Sequence, residues 1–153
     1  MNVDFIDYKD DKGFYISNIF MQLAIYFINE EFKKDQYVFV NKNRISRYHS
    51  SIINGHESGY FALCWDLYIK NSSEKQTMVQ VLQTVKTIIQ NKGVNISIAE
   101  LQAIPTTDKD FKLFYSRNPF PTAELIKIID ALIKMLQNTW DSTDYDMEIN
   151  YRY

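Results

Sequence analysis

The sequence predicts a single α+β domain in which about three helices pack on a small, mostly antiparallel sheet. Three observations support this class. The chain has 153 residues, which suits one domain. Its hydrophobic content of 46% is typical of a globular protein. Segments with helical periodicity are interspersed with short segments rich in β-branched and aromatic residues, and no internal repeat relates them.

Three segments are predicted to be helices: residues 14–32, 74–91 and 122–140. The first is apolar on nearly every side, which indicates a central, buried helix. In the second, apolar residues share one helical face, Ser73 and Gln76 have the spacing of a capping box, and Gly93 stands where a helix would stop. Its many β-branched residues would also suit a strand, so that alternative stays open for residues 77–90. In the third, Thr122 is the predicted N-cap.

Four segments are predicted to be strands: residues 36–40, 59–70, 94–98 and 111–117, with a further short strand expected at 1–8. Residues 41–58 are predicted to be a long polar connection. The strongest strand pattern is that of 59–70, where every second side chain is large and apolar: Phe61, Leu63, Trp65, Leu67 and Ile69. For 94–98 an alternative stays open, since Ser97 and Glu100 could instead cap a small helix across 99–104.

Charge and composition disfavour several kinds of protein. The net charge is −2, whereas a protein that grips nucleic acid through its phosphates is normally basic. The most apolar stretch, 19–28, is far shorter than the ~20 residues that cross a bilayer. Acidic residues crowd the amino end, where a signal peptide would carry positive charge. We therefore expect a cytoplasmic protein that contacts neither membrane nor nucleic acid directly.

Common catalytic and cofactor motifs are absent from the sequence, so we predict no cofactor, no metal site and no catalytic residues. The only catalytic-looking cluster contains both histidines, His49 and His56, near Arg44 and Arg47. Two histidines could divide the acid and base roles of phosphodiester cleavage while the arginines hold the phosphate. A small hydrolase or nuclease is therefore the alternative, but histidines satisfied by local hydrogen bonds in a polar loop explain the same residues.

The last 13 residues, 141–153, form an acidic, tyrosine-rich tail after a domain predicted to span 1–140. Carboxylates attract a basic partner at long range, and tyrosines anchor it on contact. We therefore predict a partner-binding surface formed by five residues of this tail: Asp141, Asp144, Tyr145, Asp146 and Glu148. A solvated, frayed terminus is the competing interpretation.

The segment "CWDLYI", Cys64–Ile69, is followed later by an amphipathic helix at 123–140. A Trp-x-Leu-Tyr strand of this kind resembles one in some small immunity proteins of bacterial polymorphic-toxin and contact-dependent growth inhibition systems. The resemblance implies a non-catalytic protein that binds a cognate toxin domain, expected to be basic, and neutralises it. A phage-type inhibitor of a host defence protein would have the same physical character with a different target. Neither interpretation predicts an oligomeric state.

Overall fold

The computed structural model describes residues 2–56 and 62–153 of the chain. In chain order the elements are β1 (Val3–Asp7), β2 (Gly13–Ser17), α1 (Asn18–Phe32), α2 (Lys42–Ile53), α3 (Trp65–Tyr68), α4 (Ser72–Gln90), β3 (Asn95–Ile96), α5 (Ile98–Gln102), α6 (Lys109–Phe114), β4 (Phe120–Pro121), α7 (Thr122–Leu136) and β5 (Tyr145–Asp146). The α+β class is confirmed. The prediction of about three helices is wrong, because the described residues form seven.

Helix α1 is the centre of the fold, as its apolar sequence predicts. Twelve of its 15 residues are buried, and it contacts α2, α4, α7 and β2. The predicted helix at 14–32 begins too early, since residues 14–17 belong to β2. Phe14 and Ile16 are buried while Tyr15 between them is exposed, which is the alternation of a strand.

Two small sheets accompany the helices. The first has the strand order β1-β2-β5, in which β1 and β2 are antiparallel and β5 runs parallel to β2. The second consists of the short antiparallel strands β3 and β4. Gly13 lies opposite Asp7, and a Cβ atom there would come within 1.9 Å of the Ile6 carbonyl oxygen. A glycine is therefore required at this position, because any side chain would collide with the backbone of β1.

Two of the predicted strands, 36–40 and 59–70, are not strands in the described structure. In 36–40, Tyr37 and Phe39 are buried and Val38 is exposed, but no strand pairs with the segment. The first part of 59–70 lies outside the described residues, and Trp65–Tyr68 form α3. Leu67, expected on the buried face, is 60% exposed. Alternating side chains do not make a strand unless a neighbour pairs with its backbone.

The predicted strand at 111–117 is also wrong, because most of it lies in α6. Asp108 caps this helix: its Oδ1 accepts hydrogen bonds from the backbone N–H groups of Asp110 and Phe111. In 94–98 both interpretations are correct in part. Residues 95–96 form β3, and Ser97 caps α5 by accepting from the Glu100 N–H.

The polar connection predicted at 41–58 is wrong as well, because α2 occupies Lys42–Ile53. The helices predicted at 74–91 and 122–140 are present as α4 and α7, the second ending at Leu136. Asn138 stops α7 in the left-handed conformation at φ 60°, and Thr139 N–H donates back to the Lys134 carbonyl. Thr122 does not act as the predicted cap, since its hydroxyl donates to the carbonyl oxygens of Gly93 and Val94.

The cap of α4 provides a direct test of the helix boundary. Asn71, rather than the expected Ser73, accepts a hydrogen bond from the Glu74 N–H at 2.9 Å. We expect Asn71→Ala to lower the free energy of unfolding by about 0.5–2 kcal/mol, because one N–H of the first turn loses its acceptor. Ser73→Ala is the matched control and should change it by less than about 0.5 kcal/mol. Urea unfolding followed by circular dichroism measures both, and equal losses would contradict the assignment.

Candidate protein-binding surface

His49, one of the two histidines considered as acid–base groups, lies in the core. Its side chain is fully buried, and Nδ1 lies 3.0 Å from Asn29 Oδ1. Its Nε2 lies 3.2 Å from the indole nitrogen of Trp65, which can only donate. Nε2 must therefore accept, and Nδ1 carries the hydrogen that is donated to Asn29. Both ring nitrogens are engaged, so the neutral imidazole links α1, α2 and α3.

The surroundings of His49 oppose proton transfer. Burial lowers the pKa of the imidazole to about 3. His56, by contrast, is exposed just after α2. Because His49 is buried and His56 is exposed to solvent, the structure does not bring the two histidines into a common acid–base site. Arg44 lies over the ring of Tyr68, 5.3 Å from its centroid, and Arg47 is exposed. Within the described residues, no group of three or more His, Cys, Asp or Glu side chains could hold a metal ion.

The buried imidazole predicts a pH dependence of stability. His49 stays neutral in the folded protein down to about pH 3, whereas the unfolded chain binds a proton below its ordinary pKa of 6.5. Stability from this group is therefore complete above pH 6.5 and decreases as the pH falls toward 3, by up to about 1.4 kcal/mol per unit. Urea midpoints at pH 7 and pH 5 measure it. We expect the difference between these two midpoints to be smaller in His49→Gln, whose side chain cannot titrate. In His56→Gln the difference should be unchanged.

The acidic tail is anchored along the sheet rather than frayed. Met147 N–H donates to the Tyr15 carbonyl at 2.8 Å, and Gly13 N–H donates to the Ser142 carbonyl at 3.0 Å. Just before the tail, the indole of Trp140 donates to the Gly13 carbonyl at 2.8 Å. These bonds hold β5 as the third strand and fix the start of the tail against β2.

The second half of the tail is held by α7 and by an aromatic cluster. Lys127 of α7 donates to the Glu148 carbonyl at 2.8 Å, and Asn150 N–H donates to the Glu124 carboxylate at 2.6 Å. The Tyr151 hydroxyl donates to the Asn118 carbonyl at 2.8 Å. The Tyr151 ring packs on four other rings: Phe20, Phe114, Tyr115 and Phe120. The tail therefore has a defined path over the helical core.

All five residues predicted to bind a partner are exposed: Asp141, Asp144, Tyr145, Asp146 and Glu148. Met147, between the last two, is buried. Met147 thus anchors this short segment, and the side chains on either side of it face outward, as the alternation of an extended backbone allows. Tyr145 is 49% exposed and meets Trp140 edge to face, with ring centroids 5.4 Å apart.

The sheet joins these acids to others that come from the amino end of the chain. Residues 2–17 and 141–148 together carry eight carboxylates and two lysines, a net charge of −6. Seven of these acids are exposed, and the eighth, Asp4, lies on the same face of β1 as Ile6 with its Oδ2 buried. The whole chain carries −2, so the remainder is positive by 4. We call residues 2–17 and 141–148 the acidic sheet surface. Its long-range field favours a positively charged partner.

Asp66 also lies beside this surface, and the sequence did not indicate its position there. Burial, together with the nearby carboxylates of Asp66 and Asp11, raises the pKa of Asp7. Asp66 of α3 is exposed, so this helix adds a carboxylate close to the end of β1. Lys12 partly offsets the charge, with its ammonium 3.7 Å from the Asp141 carboxylate.

An apolar strip lies on the outer face of the sheet. The rings of Phe5 and Tyr15 are cross-strand neighbours with centroids 4.8 Å apart. Tyr15 is 40% exposed, and Val3 on the same face is 59% exposed. Exposed rings bordered by charged groups are typical of protein-binding surfaces. The alternation of Val3 and Phe5 with the buried Ile6 could have indicated this second face, but without the pairing of β1 and β2 its neighbours are unknown.

Comparison of the chain with protein-family models, with curated proteins and with solved structures finds no match. Among the helices formed by residues 2–56 and 62–153, none has the length and apolar character needed to span a membrane.

Proposed function

We propose that this chain is a non-catalytic protein-binding module that neutralises a cognate bacterial toxin domain, as an immunity protein does. The observation that carries the proposal is the acidic sheet surface, with its net charge of −6 and its exposed rings. A toxin that acts on nucleic acid must itself attract phosphates, so its active face is expected to be basic. An acidic surface of matching shape would cover that face.

The way in which the surface is held supports binding by a preformed site. Backbone hydrogen bonds from β2 fix the tail before a partner arrives, and Met147 anchors its centre. Fixed side chains lose less conformational entropy on association, so more of the contact energy appears as affinity. Carboxylates with their backbone in place also present a constant field to an approaching partner, which raises the association rate.

The segment on which the resemblance to immunity proteins rests is a short helix in this structure rather than a strand. Trp65 lies in the core against His49, while Asp66 and Leu67 face outward. Support for the proposal therefore comes from the acidic sheet surface and not from this motif. The buried, fully bonded His49 favours a binding role over the hydrolase alternative, since it removes one of the two proposed acid–base groups.

Co-expression with the product of the adjacent gene tests the proposed function. We expect the neighbouring product to inhibit growth when it is expressed alone and to be harmless with this chain. The two proteins should then copurify and elute together in gel filtration. A neighbour that is harmless alone, or one that stays toxic in the presence of this chain, would contradict the proposal. If the captured target were instead a host defence protein, the toxin assignment would be wrong.

Charge substitutions on the tail test the surface itself. We expect the pair Asp144→Asn and Asp146→Asn to slow association with the captured toxin about tenfold at low salt, because part of the steering field is removed. The salt dependence of the rate should also weaken. The matched control is the pair Asp35→Asn and Asp110→Asn, which removes the same charge from other exposed positions. Equal rates for both pairs, measured by stopped-flow or surface plasmon resonance, would contradict the assigned surface.

Deletion of 141–153 is a poor substitute for these variants. It would also remove Met147 from the core and the Tyr151 ring from its cluster. A loss of binding could then reflect lost folding instead of lost contacts.

A further inference from the structure

The register of β1 and β2 shows which backbone groups of β1 are used. Asp4 is opposite Ile16, and Ile6 is opposite Phe14. Asn18 N–H donates to the Asn2 carbonyl, and hydrogen-bonded pairs recur at every second residue of an antiparallel ladder. The even-numbered residues of β1 therefore bond to β2. The odd-numbered ones direct their N–H and C=O groups to the other side.

Among residues 2–56 and 62–153, that other side is a free edge. Within this part of the chain, β1 pairs with β2 alone and is an outer strand of the sheet. No backbone hydrogen bond from Val3 or Phe5 to another described residue is present. Val3 and Phe5 thus offer N–H and C=O groups that no described backbone group uses, and an added strand would pair with such groups.

The side chains along this edge indicate the character of a strand that would pair with it. Val3, Phe5 and Asp7 all lie on the outer face, with Phe5 against Tyr15. An added strand would place an apolar side chain beside Phe5 and a cation within reach of Asp7. Asp66 and Asp11 lie close enough to raise the pKa of Asp7, so a positive group there would meet several carboxylates.

We propose that the free edge of β1 is the docking strand for the partner, and that a basic, extended segment of the partner adds to the sheet beside it. This inference rests on the proposed function and deepens it, since it assigns the part of the acidic sheet surface that forms backbone contacts. The added segment has apolar residues beside Val3 and Phe5 and a Lys or Arg beside Asp7, at positions two residues apart. Its backbone bonds provide affinity, while the surrounding carboxylates select its charge.

The charge argues against a second copy of this chain as the occupant. Joining two β1 edges would bring together two surfaces with a net charge of −6 each. Like charges on facing strands are destabilising. The outer edge of β5 is a weaker candidate, because this strand has only two residues, against five in β1.

Amide hydrogen exchange provides a residue-level test. The probe is a synthetic peptide of about seven residues, long enough to pair with all of β1, with valine at the positions beside Val3 and Phe5 and lysine at the position beside Asp7. In the ¹⁵N-labelled protein, we expect saturating peptide to slow exchange at the Val3 and Phe5 amides by about tenfold or more. The amides of Asp4 and Ile6 already bond to β2 and should change little. A peptide in which glutamate replaces lysine should leave all four amides unchanged.

Two other outcomes would overturn the proposal. Protection confined to residues outside β1 would show that the peptide binds elsewhere. Protection of Val3 and Phe5 without any peptide, increasing with protein concentration, would show that a second copy occupies the edge. Sedimentation velocity on the same samples identifies that second case.

A proline at the edge of β1 tests the docking strand independently of the proposed function. Val3→Pro removes an outward N–H at the first residue of the strand, where proline is tolerated, and Val3→Ala is the control that keeps the donor. We expect Val3→Pro to bind the captured toxin at least about tenfold more weakly than Val3→Ala, with an unchanged thermal midpoint. Equal affinities in a stable complex would overturn the docking strand but leave the proposed function standing. If no toxin is captured while the lysine peptide still protects the edge, the proposed function is the part that fails.

Discussion

Helix α1 is buried on nearly every side, and the remaining elements are arranged so as to cover it. Helices α2, α4 and α7 contact it, and the chain enters it directly from β2. Each large apolar side chain that is fully buried contributes roughly 1.5–3 kcal/mol, so the burial of α1 is a major source of stability. Three buried polar residues of this helix must nevertheless find partners, and one of them, Glu31, accepts a hydrogen bond from the Tyr37 hydroxyl at 2.6 Å. Gln22 donates to the Ile53 carbonyl and the Asp108 carboxylate, and Asn29 accepts from His49.

Some backbone groups that would pair with a neighbouring strand in a larger sheet form hydrogen bonds with side chains here. The buried carboxylate of Glu74 accepts hydrogen bonds from the backbone N–H groups of Val40 and Lys70 at 2.9 and 3.0 Å. Asn41 adds a bond to the Tyr68 carbonyl at 3.1 Å. The two apolar segments that resemble strands therefore approach the same end of α4, but single side chains bind their backbones. A backbone group that is shielded from water without a partner is costly, and these part-buried bonds avoid that cost without a ladder.

The sheet connects this core to the surface on which the proposed function rests. Its inner face packs Ile6, Phe14 and Ile16 against the helices, while its outer face leaves Phe5 and Tyr15 accessible. The tail joins as a third strand, so carboxylates from the two ends of the chain meet on one surface. Cooperative folding of the core then fixes the geometry of the binding surface, although none of the proposed contact residues needs to be buried.

The sequence by itself determined the α+β class, the buried central helix, and the positions of α4 and α7. It also determined that the tail is acidic and rich in tyrosine. A helix satisfies its backbone hydrogen bonds within its own segment, so the periodicity of residues 74–91 was sufficient to predict α4 despite its β-branched residues. Only the tertiary structure decided that 36–40 and the described part of 59–70 are not strands, and that 145–146 pair with β2. A strand depends on donors and acceptors from a distant part of the chain, and alternation within one segment does not show whether such a neighbour is present.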